Sequence, residues 1–261
     1  MTATSVTAVT WLGHATVAIE SGGARLLTDP VLRKVIGHLW RYAPTPPIPD
    51  DLDGILLSHA HRDHLDVGTL ARIPHDVPII APSGIDRAVH RLGRPVIEVE
   101  IGDEIQVAGA TIRAFPVDHD DRRAPWSKPG AAAGFLVGDE QRIWFPGDTD
   151  LHPVMDEMKG QVAVTLMPIW GWGPSLGPGH LDPERAAEAV ARIAPQIAIP
   201  IHWGTYLPAG LQVTHRHLLT EPAATFAAGV AERAPGTEVV ELMVGERLAL
   251  DPPQDARARP A

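Results

Sequence analysis

The string HAHRDH at residues 59–64 contains four side chains that can bind a metal ion: His59, His61, Asp63 and His64. A catalytic zinc ion takes about three protein ligands, imidazole nitrogens or carboxylate oxygens, and keeps one open position. Four such side chains in six residues exceed what one ion needs. A single histidine in a loop is usually a solvated group, but this density predicts a metal-binding turn.

A buried strand must position this turn. Residues 54–58 form a short apolar run that continues directly into the string, as is typical of a buried strand. A turn at the carboxyl end of such a strand can direct several ligands at one point. The chain contains no cysteine, so any metal has to be held by histidine and carboxylate.

The HxHxDH pattern resembles the signature of the metallo-β-lactamase superfamily, in which a histidine, an aspartate and a histidine follow downstream. Here His119, Asp148 and His202 each close a predicted strand in that order. The resemblance implies an α/β (α+β) fold, a four-layer αββα sandwich with two mixed β-sheets and helices on both outer faces. It also implies two ions: one bound by His59, His61 and His119, the other by Asp63, His64 and His202, with Asp148 bridging them.

Shorter segments are similar to the branch that contains N-acyl-phosphatidylethanolamine phospholipase D and the ascorbate-6-phosphate lactonase group. They are WLGHAT at 11–16, LTDP at 27–30, GDT at 147–149, HLDPE at 180–184 and HWGT at 202–205. Together with the metal signature they extend the resemblance over nearly the entire chain. The resemblance implies a phosphodiesterase of phospholipase D type or a lactonase.

The cofactor that we expect is a pair of divalent ions, with Zn²⁺ favoured and Mn²⁺ or Fe²⁺ as alternatives, because availability decides among them at His/Asp sites. Two close cations lower the pKa of a shared water and clamp the attacking and leaving oxygens of a displacement. The expected nucleophile is a metal-bound hydroxide that attacks a phosphodiester or a lactone or ester. Asp63 can also accept a proton, and His180 can reach the substrate.

Further candidates surround this site. We expect Asp29 to accept the second N–H of a metal-bound imidazole, as such histidines usually require. Trp170, Trp172 and Trp203 lie on Gly- and Pro-rich segments and are expected to line a partly apolar substrate pocket, with Trp40, Tyr42 and Trp126 nearby. The proline-rich residues 41–49 are a candidate lid. His14 is interpreted as structural, and His75, His90, His152, His215 and His217 as surface or structural groups.

Length and charge limit the remaining possibilities. The 261 residues carry a formal net charge of -10, which disfavours a nucleic-acid partner. We expect one domain over residues 1–251, a flexible tail at 252–261, a small-molecule or lipid-like substrate and at most peripheral membrane contact. The first residues do not resemble a signal peptide, so a cytoplasmic location is expected; a homo-oligomer is left open.

Sequence patterns predict a strand-rich first half and an alternation of helix and strand in the last third. A helix is expected to start at Asp182, because an N-cap acceptor is followed by proline and an acid. The expected strands are residues 6–12, 15–20, 24–27, 54–58, 77–81, 96–98, 104–107, 110–117, 134–137, 142–146, 162–167 and 197–201.

Three alternative functions stay open. A di-iron redox member of the same superfamily commonly has Glu where His61 stands, so His61 favours hydrolysis. A tRNA-processing nuclease is disfavoured by the acidic balance, and a purely metal-binding protein by the complete ligand set. Little β-lactamase activity is expected, because the common zinc β-lactamases use Cys where this chain has Asp148.

Overall fold

Strands dominate the computed structural model, which describes residues 6–85, 89, 91–119 and 131–250. The strands are β1 (Ala8–Gly13), β2 (Thr16–Ser21), β3 (Ala24–Thr28), β4 (Val35–Ile36), β5 (Leu39–Arg41), β6 (Gly54–Leu56), β7 (Ile79–Pro82), β8 (Val96–Val99), β9 (Glu104–Val107), β10 (Ala110–Phe115), β11 (Gly134–Val137), β12 (Ile143–Phe145), β13 (Val164–Pro168), β14 (Ile197–Ile201), β15 (Tyr206–Pro208), β16 (Glu238–Val239) and β17 (Arg247–Ala249). The α-helices are α1 (Val67–Leu70), α2 (Val154–Glu157), α3 (Pro183–Ile193) and α4 (Pro222–Arg233), and Leu211–Val213 and Arg216–Leu219 are short 3₁₀ helices.

Two seven-stranded sheets form the centre of the molecule. Their strand orders are β17-β1-β2-β3-β6-β7-β8 and β16-β14-β13-β12-β11-β10-β9. In each sheet, antiparallel strands on one side are joined to parallel strands on the other. The two mixed sheets of the predicted fold class are confirmed.

Alternating side chains of the first sheet face two different cores, as the period of a strand requires. Leu56 lies in the core that the sheet shares with the second sheet, whereas Ile55 lies in the core on its other face with Leu70 of α1. Ala186 of α3 and Phe226 of α4 extend the shared core beyond the second sheet. Helices therefore cover both outer faces.

A third, small sheet stands beside the large ones, and the sequence patterns did not predict it. Its order is β15-β5-β4, and Ile36, Leu39 and Tyr206 form a small apolar core with Val31. It brings the segment around residues 36–41 next to residues 206–208, close to the carboxyl ends of the central strands.

Some predictions fall outside the described residues: those for His90, for Trp126 and for the tail at 252–261. Within the described ranges, no helix combines the length and the apolar character needed to span a bilayer.

Candidate metal centre

The predicted ligands other than His119 follow the ends of strands with parallel partners in the two sheets, whereas His119 follows the antiparallel strand β10. Asp29 follows β3 and residues 59–64 follow β6 in the first sheet, while Asp148 follows β12 and His202 follows β14 in the second. Carboxyl ends of parallel strands are where open α/β sheets bind ligands. The two sheets therefore direct their polar side chains into one region.

The backbone of the 59–64 string folds into a tight turn. The carbonyl oxygen of His61 accepts from the N–H groups of His64 (3.0 Å) and Leu65 (2.7 Å). The turn ends at Asp66, whose side chain caps α1 by accepting from the N–H of Thr69 at 2.9 Å. This geometry folds the string back on itself, so that its side chains converge.

The seven predicted ligands meet in two groups, here named the His/Asp cluster: His59, His61, Asp63, His64, His119, Asp148 and His202. His59, His61, His119 and Asp148 form one group, and Asp63, His64 and His202 form the other together with His14; within each group the candidate ligand atoms lie within 4.8 Å of one another. Asp148 also touches the second group, with Oδ2 3.1 Å from His64 Nε2 and Oδ1 3.2 Å from His202 Nε2. This division matches the two ligand sets that the family resemblance implies.

The hydrogen bonds of the histidines fit a metal site. The Nδ1 atom of His119 lies 2.9 Å from the carbonyl oxygen of Gly179, and that of His202 lies 2.9 Å from the carbonyl oxygen of Trp170. A carbonyl only accepts, so each Nδ1 carries the proton and each Nε2 presents a lone pair. His202 Nε2 faces His64 Nε2 at 3.0 Å, and His119 Nε2 faces His61 Nδ1 at 3.2 Å.

Two further buried atoms of the cluster accept no hydrogen bond, Nε2 of His59 and Oδ1 of Asp148. Acceptor atoms that face one another in a buried site are costly unless a cation lies between them. A set of imidazole nitrogens and carboxylate oxygens without sulfur fits Zn²⁺, Mn²⁺ or Fe²⁺. The donor atoms present therefore fit a metal ion of this kind.

The electrostatics of the cluster also favour positive charge. Burial opposes charge on His64, but the carboxylates of Asp148, Asp63 and Asp29 outweigh it and raise its pKa well above the usual range. Burial lowers the pKa of His202 to about 3 and, together with neighbouring histidines, holds the pKa of His59 well below its usual value. The carboxylates that favour a proton on His64 would equally favour a metal ion in its place, and the neutral imidazoles of His59 and His202 are in the state that binds one.

Asp29 lies where the sequence placed it, behind one of the ligands. Its Oδ2 is 2.7 Å from His64 Nδ1 and 2.5 Å from the hydroxyl of Ser58, and its Oδ1 accepts from the N–H of Ser58 at 2.8 Å. The side chain is completely buried. These contacts fix both the ring of His64 and the start of the ligand turn.

A pocket of about 450 Å³ opens onto the cluster, and His180 and Trp172 line it with Ile36, Gly37, His38, Leu39, His61, Arg62, Asp63 and Asp148. His180 Nε2 lies 3.3 Å from Asp148 Oδ2. Burial opposes charge on His180, but Asp148 outweighs it and raises the pKa to about 9. Trp172 donates its indole N–H to Asp63 Oδ2 at 3.0 Å, so it touches both the pocket and the cluster.

Two of the three tryptophans expected at the pocket are placed elsewhere. Trp203 is buried, stacks on Trp11 with ring centroids 5.9 Å apart and donates to the carbonyl oxygen of Pro200. The prediction that it binds substrate is corrected, because its flat apolar ring is used in the core. Trp170 is half-buried against the same core, and its contribution to the site is the carbonyl oxygen that holds His202.

Sequence reasoning missed three residues near the site: His14, His38 and Arg62. His14 was interpreted as structural, yet its Nε2 lies 3.1 Å from Asp63 Oδ2. His38 packs edge-on against Trp172, with centroids 5.1 Å apart, in the small sheet that was not predicted. Arg62 could have been found, because it stands inside the HAHRDH string and is its exposed member.

Comparison with known proteins identifies the family. Residues 24–203 match the family model described as the beta-lactamase superfamily domain. A UPF0173 metal-dependent hydrolase of Methanopyrus kandleri is 33% identical over 210 residues, which cover 77% of this chain and 85% of that protein. The chain belongs to the metallo-β-lactamase superfamily, as the HxHxDH string predicted, and has the fold of its metallo-hydrolases.

Two more proteins relate the chain to particular members. It is 31% identical over 232 residues to N-acyl-phosphatidylethanolamine-hydrolyzing phospholipase D 1 of Caenorhabditis elegans, which covers 76% of this chain and 64% of the relative. Igni18, a metallo hydrolase of the archaeon Ignicoccus hospitalis, superimposes with a TM-score of 0.71 at 20% identity, over 94% of this chain and 99% of that chain. The first relative supports the branch expected from the sequence, and the second shows the shared fold.

Proposed function

We propose that this protein is a dinuclear metal-dependent hydrolase that cleaves a phosphodiester or, as the second candidate, a lactone or ester. The observation that carries the proposal is the His/Asp cluster, whose two groups lie against the floor of a pocket. When bound there, two divalent ions would lower the pKa of water and polarise a substrate oxygen. Membership of a superfamily with metal-dependent hydrolases supports the same chemistry.

The residues of this chain have separate tasks in the proposed reaction. His59, His61 and His119 would hold one ion, and Asp63, His64 and His202 would hold the other; Asp148 is in contact with both groups of residues. Asp63 borders the pocket, so its carboxylate is also positioned to accept a proton from the substrate side. His180 also borders the pocket and is positioned to donate a hydrogen bond to an oxygen of the bound substrate.

The pocket favours a substrate that combines an apolar part with an anion. Ile36, Leu39 and Trp172 supply apolar surface, and the exposed guanidinium of Arg62 stands at the same wall. A phosphodiester carries the negative charge that a guanidinium binds well, whereas a lactone does not. The similarity to a phospholipase D points in the same direction, so the phosphodiester is the first candidate.

The test is a hydrolase panel on protein purified without chelator. Bis(p-nitrophenyl) phosphate and a set of lactones are offered to the same sample, and its metal content is measured. We expect about two ions per chain, turnover that is lost with chelator and restored by Zn²⁺ or Mn²⁺, and no turnover for Asp148→Ala. The surface variant Asp139→Ala serves as the control and should retain the wild-type rate.

Two results would contradict the proposal: full activity in metal-free protein, or no turnover of any substrate class with both ions bound. The metal analysis also separates the redox alternative. Two irons with a visible charge-transfer band would favour that chemistry over hydrolysis. His61, which lines the pocket and faces His119, stands where the di-iron members commonly have Glu, and this favours the hydrolase.

A further inference from the structure

His14 lies outside the predicted ligand set but reaches into it. The side chain is completely buried, its Nε2 is 3.1 Å from Asp63 Oδ2, and its ring lies 3.9 Å from the ring of His202, centroid to centroid. We propose that His14 is a positioning residue for the second metal ion, donating from Nε2 to Asp63 and holding that carboxylate in place to bind. The inference rests on the metal centre of the proposed function.

The surroundings of the ring determine which nitrogen carries the proton. Nδ1 of His14 is buried and has no hydrogen-bond partner, while Nε2 faces a carboxylate oxygen, which can only accept. The neutral ring with its proton on Nε2 lets Nε2 donate to the carboxylate, and it avoids leaving a buried N–H without an acceptor at Nδ1. His14 is then a donor to Asp63, and its bare Nδ1 is directed away from that carboxylate.

Oδ2 of Asp63 lies near two other candidate ligands of the second ion, so a hydrogen-bond donor is needed to hold it in that position. Oδ2 is 3.7 Å from Nε2 of His64 and 3.7 Å from Nε2 of His202. Trp172 donates to the same oxygen from the pocket side at 3.0 Å. Two N–H groups thus hold this ligand atom, His14 from the protein interior and Trp172 from the pocket wall.

The backbone of His14 links the same residue to the second sheet. Its carbonyl oxygen accepts from the N–H of His202 at 2.9 Å, and its N–H donates to Thr205 Oγ1 at 2.7 Å. The residue has a positive φ of 53°, a conformation in which Asn is at least as favourable as His. If His14 served only to form this turn, Asn would be a good replacement.

Two substitutions distinguish positioning from turn formation. In His14→Gln the amide nitrogen can occupy the place of Nε2 and donate to Asp63, but glutamine has no preference for positive φ. In His14→Asn the turn is favoured, but the shorter side chain does not reach Asp63. The two roles therefore predict opposite orders for the same two variants.

The experiment measures Co²⁺ binding to the full-length protein by titration of the visible absorption, with thermal unfolding of the metal-free forms in parallel. We expect the unfolding temperature of metal-free His14→Asn to be at least as high as that of His14→Gln. His14→Asn should nevertheless bind the second Co²⁺ about 10 to 100-fold more weakly than wild type and show an altered visible spectrum. His14→Gln should stay within about 5-fold of wild type.

Wild-type affinity in His14→Asn, or equal loss in both variants, would overturn the positioning role and leave the hydrolase proposal intact. A wild-type protein that binds no Co²⁺ would instead overturn the metal centre itself. The two failures are therefore distinguishable.

Discussion

Single residues behind the ligands determine how well the ligands can bind. Asp29 does not line the pocket, but it is buried and its Oδ2 lies 2.7 Å from His64 Nδ1. The negative charge of Asp29 orients the ring of His64 and raises the basicity of the ring. Asp29→Asn removes this charge. We expect metal affinity to fall about 10 to 100-fold, measured by competition with a chromophoric chelator.

Asp53→Asn is the matched control for Asp29→Asn. Asp53 also accepts a backbone N–H, from Arg25 at 2.8 Å, but it stands outside the cluster, so its variant should bind metal like wild type. Equal affinity in both variants would mean that the carboxylate of Asp29 has no part in the metal centre.

Arg62 provides a second prediction at this scale, on substrate choice. No hydrogen bond or ion pair joins its guanidinium to another residue in the part of the chain described. A charge-assisted hydrogen bond contributes about 1.5 to 3 kcal/mol, so Arg62→Gln should raise KM for an anionic phosphodiester at least ~10-fold. The control is Arg72→Gln, which removes the same charge at an exposed residue that does not line the pocket and should leave KM unchanged.

The neutral substrate separates recognition from general damage. A lactone or neutral ester should show nearly the same KM with Arg62→Gln as with wild type. A parallel loss on neutral and anionic substrates would argue against an anion-binding role for Arg62.

At the scale of elements, the cluster depends on a close contact between the two sheets. Gly147, just before Asp148, has a φ of 66°, and a Cβ there would lie 2.4 Å from Cβ of Ser58. Ser58 precedes His59, so this contact sets the separation of the two ligand-bearing strand ends. Gly147→Ala should therefore lower stability and also weaken metal binding.

Gly160 offers the control for Gly147→Ala, because its φ is 76° but a Cβ there would meet nothing within 4 Å. Both variants place alanine at positive φ and should each lose about 1 to 2 kcal/mol of unfolding free energy. Only Gly147→Ala should lose further stability and Co²⁺ affinity. Equal losses of stability and of Co²⁺ affinity in the two variants would show that the contact with Ser58 does not affect metal binding.

Elements with a strong local pattern could be predicted from the sequence. Residues 104–107, 134–137 and 197–201 form strands with the predicted bounds, and Asp182 caps α3 by accepting from the N–H of Arg185. Apolar runs of strand length and the Asp-Pro-Glu helix start consist of residues that are adjacent in the sequence. These elements therefore needed no information from elsewhere in the chain.

The small sheet could not be predicted in this way, because its pairing is distant. Tyr206 pairs with Arg41, and Trp40 in β5 is 47% exposed, so neither strand shows a clear apolar alternation. The pocket wall at residues 36–39 depends on this pairing. The lid proposed for residues 41–49 stays a prediction; Arg41 itself is buried and donates to the carbonyl oxygen of Val31.

The chemistry of the site was easier to predict than its shape. Seven candidate ligands could be named because the HxHxDH string and the later strand ends concentrate one chemical type, and these seven side chains lie together in the structure. The misplacement of Trp203 and the contact of His14 with Asp63 both depend on packing between segments far apart in the chain. Neither residue type nor spacing indicates that packing.

For the whole molecule, the cluster predicts that metal and stability are linked. Ligand binding to the folded state alone stabilises by about 4 kcal/mol at a free concentration about 1,000 times Kd, which for a chain of this size raises Tm by roughly 10 °C. We expect Zn²⁺ or Mn²⁺ to raise Tm of the chelator-treated protein by this amount in calorimetry. Asp148→Ala should show little of the increase, and an unchanged wild-type Tm would contradict the linkage.

The distribution of the ligands between the two sheets also has a consequence for biosynthesis. His64 and His202 face each other across 138 residues of sequence, and the first sheet contributes no residue after 64 to the cluster. A nascent chain that has left the ribosome only as far as β8 presents the HAHRDH turn without its partners in the second sheet. If the cluster binds two ions as proposed, full loading has to wait until translation has passed residue 202 and the two sheets have packed together.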